Sequence, residues 1–337
     1  MTATVAFDAV WNGDRFLGRT VFAVEESTLR RTERSHADTE LGGALIPTLT
    51  DHHTHLGLTD AARLFDNGIT EAVDLGWIPE VSAGWLPDRA GHPVVRIAGA
   101  LITARGGYPL NAGWGPPGSS AEVSNPAEAI EAVRVQLMRG ASRIKVTLNT
   151  DSGPTVDDST LTAIVEEAHR AGFPVTVHAQ GVGQVERALA AGADQLAHAP
   201  FSERLDDGIL HRSVAAGVTW VSTLDIHGWG QPTPEYGIAV DNIRRFSSAG
   251  GRVLYGSDLG NGPLAVGVNE RELRGLVDAG LSDVQLMQSI AGASTADTVG
   301  PRYARVPGDL PTTASDLPSW LATARGLTVT TIPGASR

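Results

Sequence analysis

Short runs of β-branched and aliphatic residues alternate along this 337-residue chain with stretches of helical period. That alternation predicts βαβ units and a parallel sheet. Eight strands are expected, at residues 43–50 (GALIPTLT), 69–75 (ITEAVDL), 94–99 (VVRIAG), 142–147 (SRIKVT), 174–178 (PVTVH), 194–198 (DQLAH), 217–223 (GVTWVST) and 252–257 (RVLYGS). Helix punctuation lies between them. Asn125 as N-cap, Pro126 at the first helical position and Gly140 as the stop bracket AEAIEAVRVQLMR, and residues 159–172 read the same way. Eight strands with intervening helices favour an α/β fold of the (β/α)8 TIM-barrel type over an open doubly wound sheet, which is the alternative.

The two ends do not fit that pattern. Residues 1–42 read as a small antiparallel unit with turns at Asn12-Gly13 and Glu25-Glu26-Ser27, and residues 303–337 end in the strand-like run GLTVTTIPG. The expected organisation is a barrel over 43–302, with 1–42 and 303–337 pairing in one small β-subdomain beside it. Between the third and fourth strands lies a loop rich in Gly and Pro at 105–120.

Composition narrows the chemistry. A formal charge of −12 argues against nucleic acid and anionic lipid as partners. The absence of cysteine excludes disulfides, thiolate metal sites and a cysteine nucleophile, so any metal must be held by His and carboxylate groups. The first thirty residues lack the continuous apolar core of a signal peptide, and no window approaches the roughly 20 apolar residues that span a bilayer. A cytoplasmic protein acting on a small molecule is the default expectation. The sequence leaves a homo-oligomer open.

Chemistry-bearing residues recur at the ends of the expected strands. His53 and His55 follow the first, and residues i and i+2 of an extended segment point to the same side, so both imidazoles can face one ion. A lone HxH is often just a solvated loop cluster, and a lone strand histidine is more often a core residue than a ligand. Here His178 ends the fifth strand, His198 the sixth and Asp258 follows the eighth, and in a barrel those ends converge on one mouth. Asp258 could bind metal and also move a proton for water bound to it.

Of the 26 Lys and Arg residues, only Lys145 is a lysine, and it stands in the fourth strand between Ile144 and Val146. An ammonium there is costly to bury unless paired or neutralised, which marks a functional position. Tyr108, Trp114, His227, Trp229 and Tyr236 lie on other loops of the same mouth and are candidate substrate contacts. His227 is also a candidate donor to a developing oxyanion.

The order HxH, Lys, His, His, Asp resembles the amidohydrolase superfamily, and the likeness covers nearly the whole chain. GGALIPTLTDHHTH resembles that superfamily's opening strand, GITEAVDLGW its second, RIAGALITARGGYP its third and YGSDLGN its last. The prolidase-like and imidazolonepropionase-like branch is the most similar. The resemblance implies two divalent ions, usually zinc, bridged by a carboxylated Lys145. His53, His55 and Asp258 would hold one ion and His178 and His198 the other, with Asp258 shuttling the proton.

It further implies hydrolysis of a C–N bond in an amide, cyclic amide or dipeptide. Ester or lactone cleavage, or a metal-dependent lyase or isomerase reaction, are alternatives on the same scaffold. Two departures stand out. Tyr108 occupies a position where that branch often has histidine, and ASDLPSWLATARGLTVTTIPG is a reduced closing β unit.

Overall fold

The computed structural model describes residues 2–110, 112–292 and 296–332. It is an α/β fold whose central strands are parallel. Seven of them form one sheet in the order Ser120–Val123, Leu101–Ala104, Ile144–Asn149, Val175–Gln180, Gln195–Leu196, Thr219–Val221 and Val253–Leu254. Three more, Val94–Ile97, Glu71–Asp74 and Thr50–Thr54, form a second parallel sheet. Helices such as Pro126–Met138, Asp158–Arg170 and Pro234–Ser248 connect the strands, so both flanks of each strand are covered by apolar side chains.

Hydrogen bonds join the two sheets at both edges. On one side the Ser142 amide donates to the Ile97 carbonyl at 2.9 Å. On the other, the His52 amide donates to Tyr255 at 3.0 Å, the Asp258 amide to His53 at 2.8 Å and the His55 amide to Leu259 at 2.9 Å.

The third expected strand, 94–99, ends at Ile97, and after a kink a further strand outside the expected bounds, Leu101–Ala104, follows. Gly99 adopts φ +73°, and a Cβ there would come within 2.4 Å of Gln136 Oε1, which accepts from the Ala100 amide at 2.8 Å. Only glycine tolerates that left-handed turn pressed on a helix side chain. Beyond the kink, Leu101–Ala104 changes partner from the second strand to the fourth.

The first expected strand is also divided. Ala44–Ile46 pairs with Ala9–Trp11 and Arg302–Val306, and the strand that carries the histidines begins only at Thr50. Pro47 supplies no amide donor, so the ladder breaks there and the chain changes sheets. The terminal segments build two five-stranded sheets where the pattern suggested one. One contains Thr298–Val299 with four strands from residues 4–40, and the other contains Arg302–Val306 and Arg325–Thr328 with Ala44–Ile46 and two N-terminal strands. Phe7, Phe22 and Tyr303 pack edge to face between them. The last two residues of GLTVTTIPG lie outside the described residues.

Helix boundaries follow their caps. Asn125 accepts from the Glu128 amide and Pro126 opens the helix, as the pattern suggests, while the next helix is capped by Asp157, which accepts from Thr160. Between strand and helix layers, Trp220 stacks on Phe246 with centroids 3.8 Å apart, and its indole donates to Ser213 at 3.0 Å. Trp220→Ala removes a buried aromatic and leaves the Ser213 hydroxyl without its donor. It should cost about 3–5 kcal/mol and lower the urea midpoint, leaving the slope little changed.

Candidate metal centre

The site grows from the strand Thr50–Thr54 and the turn at 257–258. The Asp51 carboxylate, fully buried, accepts from the His53 amide at 3.0 Å, the Ser257 amide at 3.0 Å and the Ser257 hydroxyl at 2.5 Å. It therefore ties the strand bearing the two histidines to the turn bearing Asp258. Asp258 itself takes φ +55°, a strained value for a residue with a side chain, held by the hydrogen bond that its backbone N–H donates to the His53 carbonyl.

That arrangement brings His53 Nε2 to 3.1 Å and His55 Nε2 to 3.3 Å from the same Asp258 oxygen, Oδ1. The other ring nitrogens are already committed. His53 Nδ1 lies 2.8 Å from the Ala197 carbonyl and His55 Nδ1 lies 3.0 Å from the Gly76 carbonyl, so each Nδ1 carries a proton. His53 Nε2 presents a lone pair, and His55 Nε2, on an imidazole that burial would lower but Asp258 raises, presents one when a cation displaces its proton. Two imidazole nitrogens and a carboxylate oxygen then face one another, and His53 Nε2 is buried without a hydrogen-bond partner. A cation satisfies all three atoms. Their separations, all within 4.8 Å, suit one ion.

His178 and His198 stand at the same end of the sheet, and Lys145, at the second position of Ile144–Asn149 and in register with Thr176, lies deeper but close enough for its charge to be felt by His53, His178 and His198. The His198 ring lies 4.7 Å from both His53 and His178. His198 Nδ1 is anchored by the Thr223 hydroxyl at 2.9 Å, which leaves Nε2 free. His178 Nε2 is 3.2 Å from Gln180 Oε1, which leaves Nδ1 free. Gln180 is in turn held by Asn149 at 2.9 Å. Lys145 is 2% exposed, and no carboxylate among the described residues pairs with it within 4.0 Å.

Burial decides the charge states. It pushes the His178 imidazole down to about 3, and the His53 and His198 imidazoles well below their ordinary value, so these rings are neutral and able to ligate. Burial alone would raise the Asp258 carboxyl, but the surrounding imidazoles outweigh it and hold the group ionised. Lys145 is brought down to about 7, chiefly by burial, with Arg143 adding to the effect and Asp258 and Asp74 opposing it. At neutral pH a large fraction of that amine is uncharged.

A pocket of about 200 Å³ opens over these groups. Tyr108 and Trp114 line it: Tyr108 stacks on His178 at 4.9 Å and Trp114 leans on His55 at 4.7 Å. His227 lies outside the lining, against Phe201 at 4.3 Å, with Nε2 buried and unpartnered and its imidazole lowered to about 4 by burial. Trp229 packs on Gly262 from outside the pocket wall and donates to the Asn261 carbonyl at 3.3 Å. Tyr236, like His227 and Trp229, stands outside the pocket lining. It occupies the first turn of Pro234–Ser248, and its hydroxyl faces Asp278 at 3.4 Å, because the helix turns that face towards Glu270–Asp278.

Sequence reasoning passed over Asp51, Asp74, Leu58, Leu101 and Asn261. Asp74 accepts from the Leu56 and Gly76 amides at 2.8 and 3.2 Å and so shapes the chain around His55. Asp51 and Asp74 did carry a signal, as charged residues inside otherwise apolar strand runs. Leu58, Leu101 and Asn261 carried none.

The model of the amidohydrolase family matches residues 44–284. Among solved structures, a Xaa-Pro dipeptidase with bound methionine is 17% identical, with a TM-score of 0.78 and 98% of each chain covered. A. niger ochratoxinase is also 17% identical at TM-score 0.78, with 97% of this chain and 94% of that one covered. Phenylurea hydrolase B is 15% identical at TM-score 0.68, with 97% and 96% covered. No curated relative matches the sequence. Among the described residues no helix is long and apolar enough to cross a membrane.

The clamp made by Asp51 generates a test. Asp51→Ala should weaken divalent-ion binding by about 10–100-fold, the usual cost of losing a group that orients ligands, while circular dichroism shows the fold retained. Unchanged affinity in the folded variant would remove Asp51 from the construction of the site.

Proposed function

Because this chain belongs to the amidohydrolase family, metal-dependent hydrolases that act on carbon–nitrogen bonds, we propose that it cleaves an amide, cyclic amide or dipeptide at a pair of divalent ions of the zinc class. The observation that carries this reading is the convergence of two imidazole nitrogens and one carboxylate oxygen, with the chain's sole lysine buried within electrostatic reach of the same groups. His53, His55 and Asp258 would hold one ion, and His178 and His198 the other. The scaffold we infer is a closed eight-stranded (β/α)8 barrel, and the hydrogen bonds at both sheet edges support it. The barrel would span about 43–302, with the terminal sheets as a side unit.

Lys145 would stand between the ions as a carbamate. Its neutral amine attacks carbon dioxide, a new N–C bond forms, one C=O π bond becomes a C–O bond, one proton leaves the nitrogen, and the product carries a single negative charge shared by two oxygens. A divalent ion held here supplies Lewis acidity, polarising the scissile carbonyl and acidifying water. The chain's own residues move the proton: Asp258, ionised and beside the ligands, takes it from the attacking water and passes it to the leaving nitrogen. His227, expected as the donor to the developing oxyanion, is neutral, but it stands outside the pocket lining with Nε2 buried, so that role is not assigned to it.

Hydrolysis in heavy-oxygen water must place the label in the acid product, and an unlabelled product would sink the hydrolase reading. Asp258→Asn should lose nearly all kcat while keeping much of its metal, because an amide cannot carry the proton. Lys145→Ala should bind metal poorly and recover in part with added short carboxylic acids, whereas Lys145→Arg should not recover, since a guanidinium stays charged. The pH dependence has a definite sign. Only the neutral amine reacts, and its value is about 7, so bicarbonate-dependent metal uptake by the metal-free protein should rise through that pH and fall below it.

A further inference from the structure

The walls of the pocket discriminate among substrates more sharply than the ligand set does. On one side Tyr108 and Trp114 form a continuous aromatic surface, joined at their polar edges by the Trp114 indole donating to the Tyr108 hydroxyl at 3.3 Å. Leu58 and Leu101 add aliphatic wall, and the backbone at 260–262 closes the remainder. The polar lining beyond the histidines is Asp258 and Asn261, and the Asn261 amide is already given to Asp258 Oδ2 at 3.1 Å.

The arginines on the bordering loops are committed elsewhere. Arg105 donates to Ser124 at 2.5 Å and pairs with Glu128 at 3.6 Å, and Arg271 donates to both Asp225 oxygens at 2.8 and 3.0 Å. The pocket's volume of about 200 Å³ lies below the roughly 300–1,000 Å³ of drug-sized sites, so its occupant is small.

We propose that the substrate is a small neutral amide carrying a single aromatic ring, of the anilide class, and not a dipeptide with a free carboxylate. The proposal rests on the hydrolase reading for the bond that is broken. The ring lies on the Tyr108–Trp114 surface, where offset or edge-on packing suits a flat apolar group. A carboxylate on that ring would shed its water against aromatic and aliphatic groups, with the ionised Asp258 nearby and, among the described residues, no side-chain cation lining the pocket to pair with.

The test compares three probes on the zinc-loaded protein by calorimetry: acetanilide, its para-methyl derivative and para-acetamidobenzoate. The last two share shape and differ in charge. The neutral pair should bind at least about tenfold more tightly than the benzoate, a discrimination made by an uncompensated charge. Trp114→Ala should weaken the neutral probes several-fold, and Leu58→Lys, which places an ammonium at the half-exposed rim, should narrow the gap by strengthening the benzoate. Equal affinities, preference for the benzoate, or no binding of any probe overturns the proposal. Binding is read apart from turnover, so neutral probes that bind selectively but are not cleaved support the pocket assignment and defeat the hydrolase reading.

Discussion

The contact on which the site depends is the hydrogen bond from the Asp258 amide to the His53 carbonyl, reinforced by the Asp51 carboxylate bridging the same two segments. It joins strands separated by some two hundred residues of sequence. Without it, Asp258 has no reason to adopt a left-handed backbone or to place one oxygen against two imidazoles. Three hydrogen bonds to a buried carboxylate are a costly device for a merely structural seam. They are proportionate where two ligand-bearing segments must be held to within a fraction of an ångström.

Desolvation then sets the chemistry. The same burial that neutralises His53, His178 and His198, and brings Lys145 to about 7, would leave a collection of opposed lone pairs with nothing to balance them. Each imidazole has one nitrogen fixed by a carbonyl, a hydroxyl or an amide oxygen, so the rings cannot turn away from the centre. Rigid, neutral and converging donors are what a metal ion requires and what an empty apolar core would never retain.

Ligands and pocket walls come from different parts of the fold. The candidate ligands stand on or just after parallel strands, where the ladder sets their positions, whereas Tyr108, Trp114 and Asn261 stand on connecting loops. The aromatic pair reaches the ligands directly, Tyr108 over His178 and Trp114 over His55, so the loop that shapes the pocket also shields the rings from water. Specificity in such an arrangement varies by loop, with the strand chemistry untouched.

Much of this was legible in the residues themselves. Strand-terminal histidines, a carboxylate after the last strand and a solitary buried lysine are local facts, readable because parallel strands present their C-terminal ends together. The division of the first strand at Pro47 and the kink at Gly99 also had local signals, although which sheet each fragment joins did not. The direction of Tyr236, the removal of Trp229 to the outside of the wall and the recruitment of Leu58, Leu101 and Asn261 had none. Those depend on how helices and loops rotate about one another. Residue type and spacing along the chain determine which groups a strand can present, while the side chains that meet across a cavity are decided only when long-range packing sets the orientation of each loop.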